Sequence, residues 1–103
     1  MGSSPSISAF FLAYNDGGTI ASMVVNTVLT IGSVTDDFEV IVVDDGSSDY
    51  TPEILDESAR RYPGVVRVVH HEKNKGHGGA LRTGFSASTK DLIYYTDGDA
   101  HAV

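Results

Sequence analysis

Asp97-Gly98-Asp99 sets two carboxylates on either side of a glycine. The glycine lets the backbone turn so that both side chains can approach one centre. Hard oxygen ligands of this kind suit Mg²⁺ or Mn²⁺, which keep some of their waters and complete their shells with substrate phosphates. A metal held across two phosphates neutralises charge on a diphosphate leaving group, so the departing oxygen needs no proton. A second acidic pair, Asp44-Asp45, precedes Gly46-Ser47-Ser48. One carboxylate of that pair can accept hydrogen bonds from a base edge or a ribose, and because adjacent acids repel, a partner is expected. The other reading is a turn at Asp45-Gly46 that Asp44 caps.

Gly76, Gly78 and Gly79 stand where a helix opens, which lets backbone N–H groups come close to an anion. Lys73, Lys75 and Arg82 add positive charge nearby. His70, His71, His77 and His101 are candidate metal ligands by type, but adjacent His70 and His71 on an extended segment point to opposite faces, and zinc is not expected. There is no cysteine and no GxSxG segment, so covalent hydrolases lack their parts.

These groups need elements to position them. Ile7 to Tyr14 is a short apolar run closed by Asn-Asp-Gly-Gly, the pattern of a buried strand. Ile20, Met23, Val24, Thr27, Val28 and Ile31 recur at helical spacing up to Gly32. Phe38 to Val43 is β-branched and continuous, as a central parallel strand requires. Thr51-Pro52-Glu53 reads as an N-cap, a proline at the first helical position and an acid in the first turn, with Ile54, Leu55, Ser58, Ala59 and Tyr62 on the packed face. A third strand is expected over Val65 to His70, then a helix with Leu81, Gly84, Phe85 and Ser88 on one face, then a fourth strand from Leu92 to Tyr95. Strict alternation implies a parallel α/β sheet with helices on its faces. In such sheets ligands bind beyond the carboxyl ends of the strands. All four ends are polar here: Tyr14-Asn15-Asp16, Asp44-Asp45-Gly46, Lys73-Asn74-Lys75-Gly76 and Asp97-Gly98-Asp99.

With 103 residues the chain makes one small domain, in which residues 1–6 are expected to be a disordered leader. Acids outnumber bases 14 to 7, which argues against a nucleic-acid partner. The first 57 residues hold ten of the acids and none of the Lys or Arg, so the bases gather in the second half. No apolar run reaches the roughly 18 residues of a membrane span, and a cytoplasmic location is the expectation.

Four segments in order resemble one family: Ala13-Tyr14-Asn15-Asp16, Val42-Val43-Asp44-Asp45-Gly46-Ser47-Ser48-Asp49, Asn74 to Gly84, and Tyr95-Thr96-Asp97-Gly98-Asp99-Ala100. The chain is similar to the nucleotide-binding half of family 2 inverting glycosyltransferases of the GT-A fold, in particular the polyprenyl- and dolichyl-phosphate sugar transferases. The resemblance implies a Rossmann-like parallel sheet in the order third, second, first, fourth strand. It implies a UDP- or GDP-sugar donor and a Mg²⁺ or Mn²⁺ cofactor. Ala13, Tyr14 and Asp16 would line the nucleotide pocket, Asp45 would contact base or ribose with Asp44 supporting it, and Lys75 and Gly76 would lie against the nucleotide. Asp97 and Asp99 would form the DxD motif at metal and diphosphate. Relatives commonly carry proline and glutamate where this chain has Ala13 and Asp16.

In relatives the acceptor site and the catalytic base follow the DxD strand, so residues 7–103 correspond to the donor half and no catalytic base is assigned. Inverting transfer to a lipid phosphate is the implied reaction, and this chain alone is expected to lack it. The alternative is a nucleotide-binding module without catalysis. A dinucleotide-binding oxidoreductase would need GxGxxG after the first strand, where Ala13 to Gly18 does not supply it. In the implied strand order Leu92 to Tyr95 forms a sheet edge, through which self-association is expected.

Overall fold

The computed structural model describes residues 5–96. Four strands alternate with three helices: β1 (Ile7–Ala13), α1 (Ile20–Gly32), β2 (Phe38–Asp44), α2 (Thr51–Arg61), β3 (Val66–His70), α3 (Gly76–Ala87) and β4 (Leu92–Tyr95). The sheet order is β3-β2-β1-β4 and every pairing is parallel, as expected. Alternate side chains of β1 and β2 serve opposite faces. Phe11, Ala13, Val40 and Val42 meet Ile20, Val24 and Leu55 of α1 and α2, whereas Phe10, Ile41 and Val43 meet Ala80 of α3. Both faces being covered explains why the β2 sequence is apolar without alternation.

Two helices depart in detail from the sequence expectation. Thr51 is not the N-cap of α2 but its first residue; the Asp49 carboxylate accepts the Thr51 N–H at 2.8 Å, so the turn is closed one step earlier. On α3 the buried positions are Ala80 and Gly84, while Phe85 is half exposed. The cause is Phe10, whose ring lies where a Cβ on residue 84 would be. Phe85 instead meets that ring edge-on, with centroids 5.0 Å apart. Tyr95 packs on the same ring at 5.1 Å. Its neighbours Leu92, Ile93 and Tyr94 are exposed on β4, the edge strand.

Opposite the carboxyl ends, the sheet is tied together by Glu39. This carboxylate is buried and accepts from Ser8 Oγ at 2.6 Å, from the Thr89 N–H and hydroxyl at 2.9 Å each, and from the Arg67 guanidinium at 3.0 and 3.2 Å. It therefore joins β1, β2, β3 and the lead into β4. Ser6, assigned to the leader from sequence, belongs to the same end of the fold: its carbonyl and hydroxyl oxygens accept the N–H groups of Leu92 and Asp91.

Burial opposes the charge on Glu39, but the bonds from Ser8, Thr89 and Arg67 outweigh it and pull the carboxyl from 4.5 to about 2. A depressed carboxyl stabilises the fold above its unfolded pKa and loses that contribution as pH falls through the folded one. Acid titration of stability should therefore fall by about 3 kcal/mol between pH 4.5 and 2 from this group. Glu39→Gln is expected to remove that slope and to destabilise the neutral-pH protein by a similar amount, both read from urea unfolding across pH.

Candidate functional site

Asp44 and Asp45 close β2 and are both buried. Two adjacent buried carboxylates are tolerable only if each finds a donor. The donors come from the end of the neighbouring strand. His70 Nδ1 lies 2.9 Å from Asp44 Oδ2 and its Nε2 lies 2.8 Å from Asp56 of α2. His71 points to the other face, with Nδ1 2.8 Å from Asp45 Oδ1 and Nε2 2.9 Å from Thr83 Oγ1 of α3. The opposite facing of the two histidines matches the sequence expectation. Burial works against a charge on His70, yet hydrogen bonds to Asp56 and Asp44 hold its pKa above the ordinary value. For Asp45, burial is again opposed, and the His71 bond and the Lys75 N–H keep the carboxyl below its ordinary range.

The two acids are used differently. Asp44 also accepts the Ser47 N–H at 3.1 Å, so both of its oxygens are occupied and it caps the turn. Asp45 receives His71 and the Lys75 N–H, each at 2.8 Å, on the same oxygen, Oδ1. The Gly76 N–H also bears on this carboxylate and helps hold it below its ordinary range, so three donors from the segment after β3 converge on Asp45. A carboxylate offers about four lone-pair sites, so the acid keeps acceptor capacity for a ligand.

The loops around Asp45 hold one another. Asn15, in the left-handed region with φ 53°, accepts the Ser48 N–H at 2.8 Å and the Asp49 N–H at 3.3 Å, and its own N–H donates to Ser47 Oγ at 2.9 Å. Asn15 and Asp49 thus join the loops after β1 and β2. Asn74 joins the loops after β2 and β3, donating from Nδ2 to the Asp45 carbonyl at 3.1 Å and accepting the Gly76 N–H at 2.8 Å. Gly46 sits at φ 78° where a Cβ would lie 2.6 Å from Asn74 N and 2.9 Å from the Lys73 carbonyl carbon.

A cleft of about 270 Å³ opens there, lined by Leu12, Ala13, Tyr14, Asp16, Asp45, Asn74, Gly76 and His77. Of the residues singled out in the sequence, Ala13, Tyr14, Asp16, Asp45 and Gly76 meet in it. Asp44 lies beneath, engaged with His70 and Ser47. Lys75 lends its N–H to Asp45, while the residue itself lines two neighbouring clefts. Asp97 and Asp99 lie outside the described residues. Among those described, no group of three or more His, Cys, Asp or Glu side chains could hold a metal ion. The cleft carries two acids, Asp16 and Asp45, so a diphosphate entering it would need a countercharge. His71, Asn74 and His77 were missed as parts of the site. A signal existed for His71: parallel pairing puts Asp44 opposite His70 in register, and the next residues follow.

Residues 8–101 match the family model for glycosyl transferase family 2. The chain belongs to that family. It is 41% identical over 95 residues to the glycosyltransferase AglD of Haloferax volcanii, covering 90% of this chain and 15% of that protein. It is 32% identical over 93 residues to an undecaprenyl-phosphate 4-deoxy-4-formamido-L-arabinose transferase of Edwardsiella ictaluri, covering 90% of this chain and 29% of the other. Among solved structures it resembles the mannosyltransferase PcManGT of Pyrobaculum calidifontis, determined with GDP-Man and Mn²⁺, at a TM-score of 0.75 and 26% identity over 93% of this chain and 28% of that one. The glycosyltransferase domain described here thus spans less than a third of the length of each of these proteins. No helix among its described residues is long and apolar enough to cross a membrane.

Gly46→Ala tests how closely the loops are set. The left-handed backbone and the contact with Asn74 together should cost about 2–4 kcal/mol in chemical denaturation. The Lys75 and Asn74 amide resonances should shift with it, because both residues bond to Asp45.

Proposed function

We propose that this domain is the donor half of an inverting glycosyltransferase that binds a UDP- or GDP-sugar with Mg²⁺ or Mn²⁺ and serves transfer to a lipid phosphate. The observation that carries the reading is the Asp45 carboxylate, which lies at the carboxyl end of a central parallel strand and lines the cleft with Ala13, Tyr14 and Asp16. A carboxylate oxygen is an acceptor only, so it selects an N–H of a base edge or a ribose hydroxyl. Tyr14, about half exposed at the rim, offers a ring face to a base. Family membership and a relative named for undecaprenyl phosphate support the transferase class and the acceptor.

The acidic lining of the cleft fits a metal-assisted donor, since a bare diphosphate would be repelled by Asp16 and Asp45. Asp97 and Asp99 are the residues assigned to hold the ion. Bound there, a divalent cation supplies the charge that lets the diphosphate leave unprotonated. The chain's own described residues bind and orient the nucleoside: Asp45 accepts from it, Asn74 and Asn15 fix the loops around it, and Gly76 keeps the entrance of α3 open.

Calorimetric titration with UDP and GDP, with and without Mn²⁺, tests the reading. Binding of one of them should tighten with Mn²⁺, and Asp99→Asn should weaken the Mn²⁺-assisted affinity about tenfold while changing metal-free affinity little. Equal losses in both conditions would remove the metal role, and binding of neither nucleotide would remove the donor reading.

A further inference from the structure

We propose that His71 is a positioning residue for the nucleoside, holding Oδ1 of Asp45 so that Oδ2 is presented to the ligand. The inference rests on the donor reading of the cleft. Three observations support it. The His71 side chain is 4% exposed and sits outside the cleft lining, so it acts through Asp45 and not by contact. Its Nδ1 and the Lys75 N–H converge on the same oxygen, which leaves the carboxylate one orientation. Its far nitrogen is fixed in turn by Thr83, whose Oγ1 is also 3.1 Å from the Gly79 carbonyl one turn earlier on α3.

The Asp45 carboxylate is an acceptor only, so the 2.8 Å contact is a bond donated by Nδ1–H of His71. The chain Gly79, Thr83, His71, Asp45 therefore ties the direction of Oδ2 to the start of α3, whose entrance residues Asn74, Gly76 and His77 form one wall of the cleft.

The test is a double-mutant cycle on nucleotide affinity, measured by calorimetry with UDP and GDP in the presence of Mn²⁺, well below each variant's melting temperature. His71→Leu should weaken the nucleotide that wild type binds about tenfold, the scale of a hydrogen bond to a charged group. Asp45→Asn should lose at least as much, and the double variant no more than Asp45→Asn alone, because the two act as one unit. His71→Asn should recover most of the affinity, since its amide N–H reaches the place of Nδ1–H. Should His71→Leu fail to fold, Thr83→Val carries the test: it keeps the shape and removes the hydroxyl, and its weakening should be reversed by Thr83→Ser. Affinity within twofold of wild type in folded His71→Leu or Thr83→Val, or additive losses in the double variant, would overturn the proposal while leaving the donor reading intact. A wild-type protein that binds neither nucleotide would overturn the donor reading itself, and this inference with it.

Discussion

Two neighbouring carboxylates buried at the end of one strand are the constraint on which the rest of the site depends. Asp44 and Asp45 repel each other across a single peptide unit and are both buried, so water screens them poorly. The fold answers with two neighbouring histidines at the end of β3, one for each acid and one on each face. Because consecutive residues of an extended strand face opposite ways, parallel pairing of β2 with β3 makes this matching automatic. The pairing also recruits the helices: Asp56 of α2 holds the far side of His70, and Thr83 of α3 holds the far side of His71. Both layers of the domain are thereby referred to one point at the edge of the sheet.

From that arrangement follows a division of labour. Asp44 gives both oxygens to the protein beneath the cleft and serves the turn, whereas Asp45 lines the cleft and is held on Oδ1 by His71 and the Lys75 N–H. The same economy governs the asparagines. Asn15 and Asn74 are polar residues at the site, yet their carboxamides are spent on neighbouring loops. They hold three loops together so that a cleft of defined shape exists before a ligand arrives, which lowers the ordering cost of binding. At the opposite end Glu39 does for the strand starts what the histidines do for the strand ends, joining β1, β2 and β3 through one satisfied carboxylate.

Much of this was legible in the residues. The alternation of a continuous apolar run with helical periodicity yields the parallel sheet, and the polar strand ends yield the edge at which to look. Ala13, Tyr14, Asp16, Asp45 and Gly76 line one cleft there. What was hidden depends on distances between segments far apart in the chain. Nothing local says that Glu39 is a clasp, since its partners Ser8, Arg67 and Thr89 lie 31, 28 and 50 residues away. Phe85 looks buried by its type, but the Phe10 ring fills the space above Gly84 and turns α3. Thr51 looks like a cap until Asp49 is seen to take its N–H. Lys75 was singled out for its charge, whereas its backbone N–H is the group that bears on Asp45.

If the proposed donor role is right, a nucleoside diphosphate enters the cleft at Asp45, and amide NMR of the ¹⁵N-labelled domain, titrated with UDP and with GDP in the presence of Mg²⁺, will show it. One of the two nucleotides should shift the resonances of Leu12, Ala13, Tyr14, Asp45, Asn74, Gly76 and His77, and leave Ala21, Val25, Ile54 and Tyr62 in the groove between α1 and α2 unmoved. Shifts centred on that groove, with the Asp45 cleft silent, would contradict it.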